Sequence, residues 1–444
     1  MTSIVDKNFG EKSVGEPAVT AVDAPELRVF VMALFFIFGG ITSLNDVIIP
    51  KLKELFSLDH MQAMLVQSAF FAAYFVISLP GAALVRRLGY MRGATVGLLT
   101  MMAGCLLFIP VSANATFGLF LVALFILASG VTVVQVVANP LISLLGPKET
   151  AHSRLTFAQA FNSLGTTVFP YFGAILILGP LAHMSASQLS GAALDAYRAS
   201  ETQAVAWAYS GLAIALALVA GAVWLHRDRL KGESHDQSTI SAGFGLLKQP
   251  RFAFGAAAIF LYVGAEVAIG SLIVLYLEQP HVLALGDQAA GKLIPIYWGG
   301  ALVGRFIGSA ALRLASPGKA LVFCALGAVT LILVSANSTG AMAGFSLLAI
   351  GLMNSIMFPT IFSLASEGLG ARAAEGSGII CMAIVGGAVI PPLTGRLADL
   401  SGSLSISLAL PALCYAIIAG FGFYARRPVE AAKESPGKTL EIMA

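Results

Sequence analysis

The stretch TFGLFLVALFILASGVTVVQVVANPLISLL, residues 116–145, contains no charged side chain and decides the class of fold. A helix needs ~20 mostly apolar residues to cross the hydrocarbon core of a bilayer, so this stretch is long enough to span a membrane. Pro140 interrupts it, but neighbouring helices in a membrane bundle can satisfy the backbone groups that a proline frees. The stretch therefore predicts a membrane-spanning helix.

Eleven further apolar stretches bring the number of predicted spans to twelve. The spans run from 27 to 49, 61 to 84, 92 to 112, 116 to 145, 154 to 179, 202 to 225, 251 to 277, 288 to 314, 318 to 336, 340 to 365, 374 to 394 and 402 to 425. Hydrophobic residues make up 57% of the chain and charged residues 11%, against roughly 45–50% and about 25% in soluble proteins. The ~10-residue alternating segments of a transmembrane β-barrel are missing. The composition predicts an all-α membrane protein with 12 transmembrane helices.

Lysine and arginine are distributed unequally between the two sides of the predicted membrane. Twenty of the 26 lie in loops or tails on one side and five on the other, and Arg305 lies within a span. By the positive-inside rule, the richer side is cytoplasmic, and it carries both termini. We expect a multi-pass protein of the bacterial inner membrane, surrounded by lipid and functional as a monomer. The net charge of +3 gives no indication of a nucleic-acid partner.

A polar stretch between the sixth and seventh spans divides the chain into two halves of six spans each. Both halves begin on the same side, which is the arrangement of parallel repeats. Pro140 and Pro170 in the first half are 30 residues apart, and Pro359 and Pro391 in the second are 32 apart. The predicted units are an N-terminal cytoplasmic tail at 1–26, a six-helix bundle at 27–225, a cytoplasmic linker at 226–250, a second six-helix bundle at 251–425 and a C-terminal tail at 426–444.

Amide side chains inside the spans are the first candidates for a binding site. They are Asn45, Gln135, Gln159, Asn162 and Asn354. Polar groups in the hydrocarbon region are costly and usually face a cavity or a partner. Amides offer donors and acceptors together, which suits the hydroxyls of a small neutral sugar. The alternative is that they only join helices, as such side chains do in membrane bundles.

Three aromatic side chains are further candidates for sugar contact. Tyr297 and Trp298 lie in the eighth span and Phe358 in the tenth. The apolar face of a sugar ring can stack on such rings. Their alternative role is ordinary core packing.

Ionisable side chains deep in the spans are the candidates for ion handling. Asp46 lies in the first span and Glu266 about midway along the seventh. Either acid could carry a proton, or Asp46 could bind Na+ together with oxygens of Asn45 and Gln135. A structural role for Glu266 is the alternative. Arg305, in the segment GRFIGS, is interpreted as a packing or gating residue.

Other classes of function find little support in the chain. All six histidines lie in loops or at span ends, no zinc-ligand spacing occurs and no phosphate-binding loop is present, so we expect no enzyme and no cofactor. The sequence has no repeat that could form the selectivity filter of a channel, so it does not indicate a channel. The four cysteines are far apart inside spans and are predicted to be buried hydrophobes without a metal.

At these polar spans the chain resembles the fucose-galactose-glucose:cation symporter family of the major facilitator superfamily. The resemblance runs from about residue 27 to 425. It is carried by LNDVIIPKLK (44–53), VVQVVANPLISLLGP (133–147), SRLTFAQAFNSLGTTVFP (153–170), YVGAEVAIGS (262–271), NSIMFPTIFSLA (354–365) and GSGIICMAIVGGAVIPP (376–392).

This resemblance implies the major facilitator fold, with two pseudo-symmetric six-helix bundles that rock around a central site. It also implies sugar uptake driven by a cation, a coupling role for Asp46 and a sugar-facing wall that contains Gln159 and Asn162. In fucose transporters the position of Gln135 holds a carboxylate and that of Glu266 an amide. The reverse arrangement here is similar to the glucose/galactose branch.

The sequence therefore predicts a secondary active importer of a hexose or hexose derivative, driven by H+ or Na+. An exporter or multidrug carrier on the same scaffold is the main alternative, and a channel or membrane enzyme is a more distant one.

Overall fold

The computed structural model describes residues 25–55, 60–114, 117–173, 191–230 and 240–427, which are almost entirely helical. The α-helices are α1 Pro25–Leu55, α2 His60–Leu88, α3 Tyr90–Asn114, α4 Phe117–Leu144, α5 Ala151–Gly173, α6 Ala192–Leu225, α7 Pro250–Leu277, α8 Asp287–Gly291, α9 Ile294–Ala311, α10 Pro317–Asn337, α11 Gly340–Asn354, α12 Met357–Ser366, α13 Ala373–Ala383, α14 Gly386–Ser401, α15 Leu404–Ser407 and α16 Ala409–Ala425.

The described helices account for all twelve predicted spans. Ten stretches among the described residues are long and apolar enough to cross a membrane, and α5 and α9 bring the number to twelve. Of these two helices, α5 carries several amides and hydroxyls and α9 carries Arg305. The prediction of an all-α membrane protein is confirmed. The eighth, tenth, eleventh and twelfth spans each consist of two consecutive helices instead of one.

The helices form two bundles that meet along a central interface. In the first bundle the most extensive packing is between α1 and α5 and between α3 and its neighbours α4 and α6. In the second, α10 packs on α16 and α11, and α7 packs on α14. Contacts between the bundles run mainly from α2 to α13 and from α5 to α9. The side where α6 ends and α7 begins is called the linker side, and the opposite side is the far side.

Pro140 and Pro359 have matching structural consequences in the two bundles. A proline inside a helix cannot donate to the carbonyl four residues earlier, and that carbonyl needs another donor. The carbonyl of Val136, freed by Pro140, accepts from Ser377 Oγ at 2.9 Å. The carbonyl of Ser355, freed by Pro359, accepts from Arg305 Nε at 3.2 Å. The helix break between α11 and α12 falls at this second position, which explains why the tenth span is divided.

Small residues bring the helices of the interior close together. A Cβ atom at Gly165 of α5 would collide with the carbonyl oxygen of Phe36 on α1. A Cβ atom at Gly351 of α11 would likewise collide with the carbonyl of Tyr297 on α9. Helix pairs in membranes rely on such close backbone approach because apolar burial gives little net drive in lipid. The four cysteines are all buried, as predicted.

Candidate functional site

A cavity of about 150 Å³ lies between the two bundles, near mid-depth. One water needs ~10–15 Å³ of such space, so the cavity holds on the order of ten waters and is of a size suited to one small solute. Its wall is formed by Phe38, Gly39, Thr42, Tyr74, Gln135, Gln159, Asn162, Thr166, Tyr262, Val263, Glu266, Arg305, Phe358 and Ile384. Both bundles therefore contribute to one site.

The first bundle supplies the amides of the wall. Gln135 on α4 accepts a hydrogen bond from the Tyr74 hydroxyl on α2, at 2.8 Å, which fixes its Oε1 and leaves its amide nitrogen toward the cavity. The side-chain amide of Gln159 on α5 makes no hydrogen bond to any described residue. Asn162 Nδ2, one turn further along α5, makes a long contact of 3.4 Å to the carbonyl of Phe35. The structure thus brings together three amides with unused hydrogen-bonding capacity.

The second bundle supplies a carboxylate to the same cavity. Glu266 on α7 is enclosed by protein but keeps solvent contact through the cavity. Its Oε1 accepts from the hydroxyl of Tyr262, one helical turn earlier, at 2.7 Å. This hydroxyl also lies 3.1 Å from the backbone carbonyl of Asn354. The carboxylate therefore has one fixed partner and one face open to the cavity.

Asn354 lies behind the cavity wall and not in it. Its side chain is fully buried, donates to Tyr297 Oη at 2.8 Å and accepts from Tyr415 Oη at 2.8 Å. The Tyr297 hydroxyl lies 3.2 Å from the backbone carbonyl of Glu266. Among the predicted sugar ligands, Asn354 and Tyr297 are thus placed where they support Tyr262 and Glu266.

Of the other two predicted aromatic residues, only one lies in the wall. Phe358 lines the cavity with its ring centroid 6.4 Å from that of Tyr262. Trp298 is 43% exposed, packs edge-on against Tyr297 and is not part of the wall.

Arg305 of α9 forms part of the wall of the cavity and joins the two bundles. Its Nη1 donates to the backbone carbonyl of Gln159 at 3.0 Å and to the hydroxyl of Ser163, both on α5. Its Nη2 has no hydrogen-bond partner among the described residues. These contacts join α9 to α5, and Arg305 also places a positive charge in the cavity wall; its packing or gating role stays a prediction.

The side chains of Asn45 and Asp46 are not among those that the structure describes. The structure describes their backbone within α1 but not the positions of their side chains. Among the side chains that are described, no group of three or more acidic, histidine or cysteine residues is arranged to hold a metal ion.

Charged pairs close the cavity toward the linker side. Arg86 of α2 pairs with Glu375 of α13, which also accepts from Arg372 at 2.7 Å. His152 of α5 lies 3.2 Å from Glu367, and Glu367 also pairs with Arg251. These pairs, together with the hydrogen bond from Ser153 Oγ to the carbonyl of Ser309 at 2.6 Å, are called the linker-side gate.

Two tyrosines of the wall were not predicted from the sequence. Tyr74 fixes Gln135 from another helix, a contact that no local pattern reveals. Tyr262 precedes Glu266 by four residues, so the helical period places the two on one face. The spacing of Tyr262 and Glu266 could therefore have been recognised from the sequence.

The sequence matches the family model described as Major Facilitator Superfamily over residues 31–391. A protein named glucose/galactose transporter, from Brucella abortus, is 48% identical over 389 residues, which are 88% of this chain and 91% of that relative. An L-fucose-proton symporter from Escherichia coli is 33% identical over 430 residues, which are 92% of this chain and 97% of that protein.

A solved structure shares the arrangement of helices. The crystal structure of FucP, described as a major facilitator transporter in the outward conformation, superposes with a TM-score of 0.83 at 31% identity. The match covers 91% of this chain and 99% of that one. A second crystal structure identifies FucP as the fucose:proton symporter of E. coli.

Proposed function

The chain belongs to the Major Facilitator Superfamily, and we propose that it imports a neutral hexose together with a cation. The observation that carries this proposal is the cavity between the bundles, which combines three amides from one bundle with a carboxylate from the other. This combination supplies a neutral, hydrogen-bonding substrate site and a titratable group within one space. Its relatives are named as transporters, in agreement with the prediction that the chain is not an enzyme.

The sugar binds to Gln135, Gln159 and Asn162 in this proposal. A hexose presents hydroxyls that both donate and accept, and each amide can answer both needs. Phe358 and Tyr262 offer ring faces on the opposite wall for the apolar face of the sugar. Asn354 and Tyr297 do not contact the sugar in this proposal; their hydrogen bonds position Tyr262 and Glu266. The name of the Brucella relative supports glucose or galactose as the substrate class.

The co-transported cation is a proton in our proposal, carried by Glu266. As a carboxylate, Glu266 accepts from the Tyr262 hydroxyl, and as an acid it can donate to the substrate or to water in the cavity. A cation drives transport only if its affinity differs between the outward and inward states, and a single enclosed carboxyl can provide that difference. The name of the E. coli relative supports proton coupling. Na+ bound by Asp46, Asn45 and Gln135 is the alternative.

Transport proceeds by alternating access, with 27–225 and 251–425 as the two moving units. The linker-side gate is closed in this structure, so the linker side opens in the other state. We further propose that this side is cytoplasmic and that both termini lie there, because most lysines and arginines are on it. The membrane is the bacterial inner membrane in this proposal, because a cation-driven importer needs a membrane that holds a cation gradient.

Uptake into proteoliposomes tests the proposal. With the full chain reconstituted, radiolabelled glucose or galactose should accumulate under an inwardly directed pH gradient and exchange against unlabelled sugar without one. Accumulation that depends on a Na+ gradient and not on a pH gradient would show that the coupled cation is Na+ and not a proton. No sugar movement under either gradient would contradict the sugar assignment and favour an exporter of other compounds.

Thiol labelling tests the orientation. Cysteines introduced at Ser187 and at Ser234, in a chain without native cysteines, should respond oppositely to an impermeant maleimide added to intact cells. We expect labelling of the Ser187→Cys variant only, because Ser234 belongs to the linker on the side that holds most lysines and arginines. Permeabilised cells, in which both variants should react, are the control. Labelling of the Ser234→Cys variant in intact cells would reverse the orientation.

A further inference from the structure

Three buried polar side chains near the cavity have no nitrogen or oxygen hydrogen-bond partner among the described residues. Asn139 on α4, Thr156 on α5 and Thr360 on α12 are each 0% exposed, and their side-chain nitrogen and oxygen atoms are unpaired. A polar neighbour of Asn139 is the thiol of Cys381, a weak partner at best. Most buried polar groups in proteins are paired, and an unpaired one destabilises the state that contains it.

All three lie beyond the cavity, toward the linker side. Asn139 follows the cavity residue Gln135 by one turn on α4, which runs toward the linker side. Thr156 precedes Gln159 by three residues on α5, which runs away from that side. Thr360 follows Phe358 on α12. The three helices therefore continue the polar lining of the cavity toward the linker side.

Thr156 and residues within one turn of Asn139 and Thr360 make contacts across the interface that the linker-side gate closes. Next to Asn139, the carbonyl of Val136 is bonded to Ser377 of the other bundle. A Cβ atom added at Gly308 on α9 would lie 3.9 Å from Thr156 Cγ2. On α12, three residues after Thr360, Ser363 contacts the ring of His152 from α5. Opening the gate would separate these contacts between the bundles.

We propose that Asn139, Thr156 and Thr360 line the path by which the sugar leaves the cavity toward the linker side. In the closed gate their donors and acceptors are unsatisfied, and in the open gate water and sugar hydroxyls satisfy them. Because these groups are unsatisfied only in the closed gate, they raise its free energy relative to that of the open gate and thereby favour opening. This proposal rests on the proposed function, because it requires a second state in which the linker side opens.

Native Cys381 reports on the opening of this interface. Cys381 is on α13, next to Asn139 of α4, and it is fully buried while the gate is closed. In the full chain in lipid nanodiscs, a soluble maleimide should modify Cys381 only in molecules whose gate is open, and mass spectrometry identifies the modified residue. Cys105, Cys324 and Cys414 are buried elsewhere and serve as internal controls for unfolding. A Cys381→Ala variant confirms the assignment of the signal.

Thr156→Val and Thr360→Val remove the unpaired hydroxyls at nearly constant volume. Each should stabilise the closed gate and slow the modification of Cys381 about five-fold or more. Tyr209→Phe is the matched control. The Tyr209 hydroxyl is also buried and has no hydrogen-bond partner in the part of the chain that the structure describes, but its ring stacks on Phe108 within one bundle. This variant should leave the rate unchanged.

The possible results separate the inference from the proposed function. Unchanged or faster modification of Cys381 in both valine variants, with the other cysteines still protected, would overturn the inference alone. Absence of Cys381 modification in the unaltered chain, with and without sugar, would count against opening of this interface and hence against the proposed transport cycle as well. Slower modification in both valine variants but not in Tyr209→Phe supports the path.

Discussion

Glu266→Gln should abolish sugar accumulation driven by a pH gradient while sugar-for-sugar counterflow continues. The amide keeps the size of the side chain and can still accept from Tyr262, but it cannot take up a proton. Accumulation needs the ion to move with the sugar, whereas counterflow needs only the sugar-loaded carrier to change state. Uptake into proteoliposomes, with and without the gradient, measures both activities in one preparation.

Asp399→Asn provides the matched control for Glu266→Gln. Asp399 is an exposed acid on α14, outside the cavity, so its neutralisation should leave accumulation intact. Asp46→Asn is expected to behave like Glu266→Gln if the family resemblance transfers its coupling role. Full gradient-driven accumulation by the Glu266→Gln variant would show that its carboxylate is structural and that coupling lies elsewhere.

Gln159→Ala should weaken sugar binding about ten-fold or more without loss of the folded protein. The Gln159 amide makes no hydrogen bond to a described residue, so its removal costs the empty protein little. In the sugar complex it removes a hydrogen bond and leaves a sugar hydroxyl unpaired, which costs ~1–3 kcal/mol. Calorimetric titration of the purified chain with glucose or galactose measures the affinity directly. Asn162→Ala should have a similar effect.

Asn337→Ala is the control for loss of an amide. The Asn337 side chain is at the end of α10 and donates to the carbonyl of Leu333 in its own helix, at 2.8 Å. Its removal should not change sugar affinity. Wild-type affinity in both Gln159→Ala and Asn162→Ala would contradict the proposed sugar site, whatever the Asn337 variant shows.

The amides of the cavity could be predicted because each signal lies within one helix. Gln159 and Asn162 are three residues apart, which places them on one face, and a polar face in a span usually meets a cavity. Glu266 could be found for the same reason, as a lone acid in the middle of an apolar stretch. The side-chain positions of Asn45 and Asp46 are not described, so the binding role of Asn45 stays a prediction from the sequence, and the coupling role of Asp46 a prediction from the sequence and the resemblance.

The role of Asn354 could not be predicted in this way. Its three tyrosine partners come from α7, α9 and α16, at separations of 57 to 92 residues along the chain. The sequence shows an amide at mid-span, but whether that amide faces a cavity or a ring of hydroxyls depends on the packing of three other helices. The same limit applies to Arg86 and Glu375, which pair across 289 residues.

The sequence by itself determined the twelve spans, the two halves and the membrane class, because lipid imposes a length and an apolar composition on each helix separately. Only the tertiary structure decided which polar groups share the cavity, which lie behind it and which remain unpaired in the closed interface. Those outcomes depend on how helices distant in sequence rotate and cross, and the energy of each polar side chain is set by the partner that it meets there. The carbonyls freed by Pro140 and Pro359 show both levels: the prolines make them available, and the fold supplies Ser377 and Arg305 as their donors.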